Sequence, residues 1–174
     1  GSFLGVQPFG KDKARHHWQL DVPMPSYLYG FAAGRFERVR RTSGATELWF
    51  VGPQPFDTPS LEQVFADSAD MLAFFTEKAG VAYPLSTYSQ VLLMGPAAQE
   101  MAGFSVMGVR YGSRVLADPQ AIWLGAHEMA HQWWGNGVTN RSWRHFWLNE
   151  GIASFMTAAY LEYRLGKEAY TAQI

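Results

Sequence analysis

The chain has 174 residues, of which 48% are hydrophobic and 17% are charged, and its formal net charge at pH 7 is −1. This length and composition are typical of one globular domain, and the near-neutral charge argues against the basic surface of a nucleic-acid-binding protein. Because the chain contains no cysteine, disulfides and thiolate metal sites are excluded, which leaves His, Asp and Glu as metal ligands. No apolar run approaches the ~20 residues that a membrane-spanning helix needs.

The N-terminal part of the chain gives weak signals for regular structure. Residues 3–25 show little periodicity, and we interpret the pair His16-His17 as part of a solvated loop, because no further ligand lies at a suitable spacing. Strand-forming residues follow within 27–41 and again over Thr46–Val51. The turn signal Ser43-Gly44 between them predicts an antiparallel pair.

The middle of the chain predicts one helix followed by short strands. Thr58 is a suitable cap, Pro59 suits the first helical position and Gly80 suits the end of the helix. Apolar residues between them recur at steps of three and four, which indicates one buried face. Strands are expected at Val91–Met94, at Phe104–Val109 and at Arg114–Ala117, the last two flanking a turn at Tyr111-Gly112-Ser113.

The next predicted helix carries the residues with the clearest chemistry. It begins with the cap and proline of Asp118-Pro119 and is expected to run to about Trp134. It contains His127-Glu-Met-Ala-His131, the pattern H-E-x-x-H. Residues four apart share one face of a helix, so both imidazoles can bind one cation, and Glu128 lies near enough to reach a water molecule on it.

A second helix is expected from about Leu148-Asn149-Glu150 to Gly166. Eighteen residues separate His131 from Glu150, which is enough chain to bring that carboxylate back against the first helix. Two imidazoles, one carboxylate and a nearby base form the ligand set of a hydrolytic zinc site. The second helix is expected to pack through Ile152, Phe155, Met156, Ala159, Tyr160 and Tyr163.

Several stretches together resemble the gluzincin aminopeptidases, the family of aminopeptidase N and the leukotriene hydrolases. The resemblance is carried by His127-Glu-Met-Ala-His-Gln-Trp-Trp-Gly-Asn136, by Val138-Thr139 and by Trp147-Leu-Asn-Glu-Gly151 with Ala153. Residues 139–149 are especially similar to the leukotriene-hydrolase branch. Upstream, Met24-Pro-Ser-Tyr-Leu28 and Phe31-Ala-Ala-Gly34 resemble the family's junction between a β-domain and the catalytic domain.

The resemblance implies an α+β, thermolysin-like zincin fold, in which a small mixed sheet packs on the zinc-binding helices. It also implies Zn²⁺ as the cofactor, with His127, His131 and Glu150 as ligands and Glu128 as the general base. The expected activity is hydrolysis of peptide bonds at peptide N-termini. The alternative is a catalytically inactive scaffold with the same fold, although such a module has no need of a base beside the metal.

The same resemblance predicts how the chain is divided. Gly1-Ser2 has the look of a cloning scar, residues 3–34 are expected to be the tail of a preceding β-domain, and residues 35–174 a catalytic-domain fragment of a longer parent chain. The family's transition-state tyrosine lies well downstream of the zinc glutamate, and Tyr160 and Tyr163 are too close to Glu150 to be that residue. The chain on its own is therefore expected to bind zinc but to be weakly active or inactive.

The residue that recognises the substrate amine is ambiguous. The family carries a Gly-x-Met-Glu-Asn strand whose glutamate binds the free α-amine. Aligning residues 102–108 with it places Ser105 at that position, whereas aligning residues 97–103 places Glu100 there. The first alignment is preferred because residues 104–109 have the stronger strand pattern, and it would weaken amine recognition.

Overall fold

The computed structural model describes residues 1–172. Seven strands and six α-helices make up its regular structure: β1 Ser2–Pro8, β2 Ala14–Gln19, β3 Glu37–Ser43, β4 Thr46–Gly52, α1 Thr58–Val64, α2 Ser68–Ala79, β5 Thr87–Leu93, β6 Ala98–Gln99, β7 Phe104–Gly108, α3 Val109–Ala117, α4 Trp123–Ala130, α5 Trp147–Leu165 and α6 Lys167–Thr171. Within these residues, no helix combines the length and the apolar character that crossing a membrane requires.

A mixed five-stranded sheet in the order β3-β4-β5-β7-β6 forms the centre of the fold. β4, β5 and β7 run parallel, while β3 and β6 pair antiparallel with β4 and β7 at the two edges. Leu48 and Phe50 of β4 point into the core at alternate positions, as expected for a strand with one buried face. The predicted antiparallel pair around Ser43-Gly44 and the α+β class are both confirmed.

The helices bury their apolar faces between the sheet and one another. Phe75 of α2 is fully buried, and its ring lies 6.1 Å from that of Trp133 and 5.8 Å from that of Tyr160 on α5. Met129 and Ala130 of α4 are also fully buried in the same core. Since α4 is held on both sides by this packing, the H-E-x-x-H residues lie on a rigid support.

The N-terminal segment differs from its prediction. Residues 3–25 were expected to be irregular, but β1 and β2 pair as an antiparallel hairpin that contains His16 and His17. Nearly every side chain of both strands is exposed or half-buried. A strand without a buried face lacks the apolar-polar alternation by which strands are recognised, which explains why the pattern gave no signal.

The helices also differ from prediction at three points. The first predicted helix is divided into α1 and α2, and its cap is Asp57, whose carboxylate accepts a hydrogen bond from the Ser60 amide at 3.0 Å. Residues 109–117 form α3 instead of a turn and a strand, because buried Tyr111 and Val115 lie one helical turn apart. The following helix spans Trp123–Ala130 instead of Asp118 to about Trp134, so His131 is its C-cap residue.

α5 has nearly the predicted bounds, and its predicted packing face is confirmed only in part. Tyr160 is fully buried as predicted, and Met156 and Ala159 are partly buried against the core. The other buried residues of the helix are Asn149, Ala153, Thr157, Ala158 and Leu161. Ile152, Phe155 and Tyr163 were expected to be packed, yet each is exposed. Their apolar character alone therefore did not identify the face that contacts the rest of this chain.

Candidate metal centre

The end of α4 and the start of α5 bring the three predicted ligands together. The Nε2 atoms of His127 and His131 lie 3.1 Å apart, and Glu150 Oε2 lies 3.3 Å from the first and 3.5 Å from the second. Both imidazoles are buried, whereas the Glu150 side chain is 45% exposed. Among residues 1–172, this is the group of histidine and acidic side chains whose ligand atoms converge closely enough to bind a metal ion.

One backbone carbonyl group fixes the orientation of the His131 ring. Its Nδ1 lies 3.1 Å from the carbonyl oxygen of Trp134. Because a carbonyl only accepts hydrogen bonds, Nδ1 must carry the hydrogen, and the Nε2 lone pair then points toward His127 and Glu150. On the other side of the cluster, the Trp123 ring stacks on His127 with centroids 4.6 Å apart and an angle of 13°.

The electrostatics of the cluster favour a cation. Burial, assisted by His131, lowers the pKa of His127 to about 4, so its imidazole is in the neutral form that binds metals. Burial, followed by the charges of Glu100 and Glu150, raises the pKa of Glu128 to about 8. Glu128 Oε2 is buried and has no hydrogen-bond partner in the described chain. The charges of Glu100 and Glu150 disfavour the ionised form of Glu128, and a bound cation would offset that effect.

These observations fit a zinc ion. Tetrahedral zinc with ligands at about 2.0–2.1 Å has ligand atoms roughly 3.3 Å apart, close to the separations found here. Two neutral imidazoles and one carboxylate are a donor set of catalytic zinc sites, which keep a fourth position for water or substrate. His127, His131 and Glu150 can therefore hold a zinc ion.

Gly135 supports the centre through a close backbone approach. Its φ is +136°, and a Cβ at this position would lie 3.0 Å from His131 Nδ1. We expect Gly135→Ala to lower zinc affinity by roughly 10–100-fold, the usual effect of disturbing the group that orients a ligand. Isothermal titration with zinc measures this change. Gly80→Ala is the matched control, because Gly80 also has positive φ but no neighbour within 4 Å. An equal loss of affinity in both variants would contradict the expectation.

The two candidates for amine recognition lie in different surroundings. Ser105 is fully buried in β7, and its hydroxyl is hydrogen-bonded to that of Tyr88. Glu100 is also buried, and its Oε1 has no hydrogen-bond partner in the described chain. Its backbone carbonyl accepts a hydrogen bond from the side chain of Asn136, whose backbone amide donates to the His131 carbonyl. The Glu100 backbone therefore lies next to the segment that follows His131, whereas Ser105 lies inside the sheet.

Two further residues contact the segment around Glu100, although the sequence predicted no role for them. Gln132 and Asn136 lie one and five residues after His131, and both side chains are buried and hydrogen-bonded to the segment Glu100–Gly103. In the sequence, both residues belong to the stretch that carries the family resemblance, and no role was predicted for them. Buried amides beside a motif are a signal of such contacts, but the sequence alone does not show that they are buried.

The fold and the metal centre together define a zinc-metallopeptidase type of protein, and comparisons with known proteins specify the family. A model of the "Peptidase family M1 domain" matches residues 64–174. The chain belongs to peptidase family M1. The expected relationship to the aminopeptidases of the gluzincin class is thereby confirmed, and so are the enzyme class and zinc as the family's metal.

Individual relatives agree with this assignment. The chain is 31% identical to leucine aminopeptidase 2 of Candida glabrata over 153 residues. The matched segment covers 87% of this chain and 22% of the relative. It is 31% identical to aminopeptidase Ey of Gallus gallus over 142 residues, a match that covers 76% of this chain and 15% of the relative. The crystal structure of an M1 zinc metallopeptidase from Deinococcus radiodurans superposes with a TM-score of 0.74 at 25% identity. The superposition covers 96% of this chain and 38% of the other. The chain thus spans about a fifth of the length of the first of these relatives.

Proposed function

We propose that the chain provides the zinc-dependent hydrolytic centre of a peptidase that acts at the N-termini of peptides. The observation that supports this proposal best is the convergence of His127, His131 and Glu150, with ligand atoms 3.1–3.5 Å apart, beside a buried glutamate. In this proposal those three side chains are the zinc ligands and Glu128 is the general base. A scaffold without catalysis would not require that base.

Zinc bound by these ligands would polarise the substrate carbonyl and acidify a water molecule. Glu128 places a carboxyl group beside the ligands. Because burial raises its pKa to about 8, the carboxylate binds a proton readily and can then pass it to the leaving amine. The Glu128 side chain is 4% exposed, so bulk water has little access to it. Proton transfer through Glu128 is therefore the contribution of this chain to bond cleavage.

Glu100 is proposed to bind the free α-amino group of the substrate. A protonated amine is a cation, and Glu100 is a buried carboxylate with one oxygen that has no hydrogen-bond partner in the described residues. Such an oxygen gains a charge-assisted hydrogen bond when an ammonium group approaches. The burial of Ser105 behind Tyr88 gives its hydroxyl no open side for a substrate, so Ser105 is not included.

The proposed function predicts selective cleavage of free N-termini. We expect the zinc-loaded chain to release leucine from Leu-Gly-Gly and to leave N-acetyl-Leu-Gly-Gly intact, with EDTA stopping the reaction. The assay uses enzyme at the substrate concentration and detects products by mass spectrometry, so that slow turnover is measured. Because the chain alone is expected to be weakly active or inactive, the scaffold alternative is favoured if both the zinc-loaded chain and the longer parent protein release no product. Equal cleavage of both peptides would contradict action at N-termini.

A further inference from the structure

The segment Glu100–Gly103, here called the Glu100 loop, is fastened to the residues that follow the zinc-binding helix. Gln132 Nε2 donates a hydrogen bond to the Met101 carbonyl at 3.2 Å, and Gln132 Oε1 accepts one from the Gly103 amide at 3.2 Å. Asn136 Nδ2 donates to the Glu100 carbonyl at 3.0 Å and to that of Met101 at 3.4 Å. Two side-chain amides thus contact the backbone of three of the four residues of this loop.

These amides are buried and come from the chain that also carries His131. Gln132 and Asn136 are 1% and 2% exposed. The backbone N–H of Asn136 donates a hydrogen bond to the backbone carbonyl of His131 at 2.9 Å, which connects Asn136 to a candidate metal ligand. Because unpaired buried amides are costly, the loop and the end of α4 cannot separate without losing several hydrogen bonds. They behave as one rigid unit.

The loop needs such fastening because of the charge that it carries. Glu100 is 5% exposed, and its Oε1 has no hydrogen-bond partner in the described residues, whereas its Oε2 accepts a hydrogen bond from the Gln99 side chain. A buried carboxylate with an unpaired oxygen is costly, which favours opening of the Glu100 loop toward water. The hydrogen bonds from Gln132 and Asn136 to the backbone of the loop oppose that opening without pairing the free oxygen, which leaves Glu100 able to bind a cation.

We propose that Gln132 and Asn136 are positioning residues that hold Glu100 beside Glu128 and thereby set the preference for a free amino terminus. The inference rests on the amine-binding role proposed for Glu100. It adds that the preference depends on two amides that contact neither the substrate amine nor the metal. Loss of either amide lets the Glu100 loop move away from the centre, while the three metal ligands stay in place.

The test uses the isosteric variant Asn136→Asp, which removes both donated hydrogen bonds and sets a carboxylate against two carbonyl oxygens. Gln132→Glu is the second variant; it keeps the acceptor for the Gly103 amide and loses the donor to Met101. Asn140→Asp is the control, because the Asn140 amide donates to the Ser142 carbonyl, outside the Glu100 loop. Zinc titration verifies that each variant binds the metal.

Two readouts follow for each variant. Hydrogen exchange of the Gly103 amide should become at least about fivefold faster in both loop variants and stay unchanged in the control, since loss of a hydrogen bond costs roughly 1 kcal/mol. The second readout is the affinity of the zinc-loaded chain for leucine hydroxamate relative to 4-methylpentanohydroxamate, which lacks only the amine. We expect the wild-type preference for the amine to fall at least about tenfold in both loop variants.

The outcomes separate this inference from the proposed function. If both variants bind zinc and keep the wild-type amine preference, the positioning role is wrong. If Asn136→Asp does not fold, Gln132→Glu decides by the same two readouts. A wild-type preference near one overturns amine binding by Glu100 and this inference with it, while zinc-dependent release of leucine still tests the hydrolytic function separately. A uniform loss of affinity for both hydroxamates indicates a merely structural effect and also overturns the inference.

Discussion

Replacing Glu128 by glutamine is expected to lower peptide hydrolysis by about 10²–10⁴-fold while zinc remains bound, because a positioned general base contributes roughly that factor. Glutamine has the shape of glutamate but cannot accept the proton. The side chain is 4% exposed and its Oε2 has no hydrogen-bond partner in the described chain, so the amide replaces no existing contact at that oxygen. The rate of leucine release and the zinc content of the purified variant are measured together.

Glu37→Gln is the control for this substitution. Glu37 is an exposed residue of the edge strand β3 and lies outside the metal centre, so its replacement should leave the rate unchanged. A Glu128→Gln variant that hydrolyses peptides at the wild-type rate would exclude Glu128 as the base. A variant that loses its zinc would instead indicate that Glu128 supports the metal, and the proposed division between ligands and base would be wrong.

Replacing His131 by alanine is expected to abolish the stabilisation of the chain by zinc. At a free zinc concentration of 100 times the dissociation constant, binding stabilises the folded state by about 2.7 kcal/mol. For a chain of this size, that free energy raises the melting temperature by roughly 5–11 °C. His131→Ala removes one of the three ligands, so the added zinc should no longer raise the melting temperature measurably.

The matched control is His16→Ala, which removes an exposed histidine from the hairpin formed by β1 and β2. Differential scanning fluorimetry with and without zinc, after treatment with EDTA, measures both variants and the wild type. We expect the control to keep the full rise in melting temperature. If zinc stabilises His131→Ala as much as the wild type, the metal binds elsewhere, and the centre at the end of α4 is not the zinc site.

The parts of the fold that follow one strong local pattern could be predicted from the sequence. β4 alternates buried and half-buried residues, and α5 begins and ends close to the predicted residues. The spacing of His127 and His131 predicted a shared face, which the 3.1 Å between their Nε2 atoms bears out. In each case neighbouring residues alone determine the geometry, so no distant contact has to be known.

Other features depend on contacts that a local pattern does not contain. α3 includes Gly112, which resembles a turn residue in sequence; a Cβ there would lie 2.7 Å from Leu92 and Phe56, so the glycine permits close packing. The choice between Ser105 and Glu100 depended on where β7 begins and on which side chain faces α4. That information lies in the pairing of β7 with β5 and in the hydrogen bonds of Gln132 and Asn136.

The three candidate ligands come from two helices, and this has a mechanical consequence. His127 and His131 belong to the rigid end of α4, whereas Glu150 lies in the first turn of α5, after a stretch of mostly exposed residues. An ion held by all three side chains would cross-link two segments separated by eighteen residues, closing a loop much as a disulfide does. The metal would then hold the start of α5 in place in addition to its part in hydrolysis.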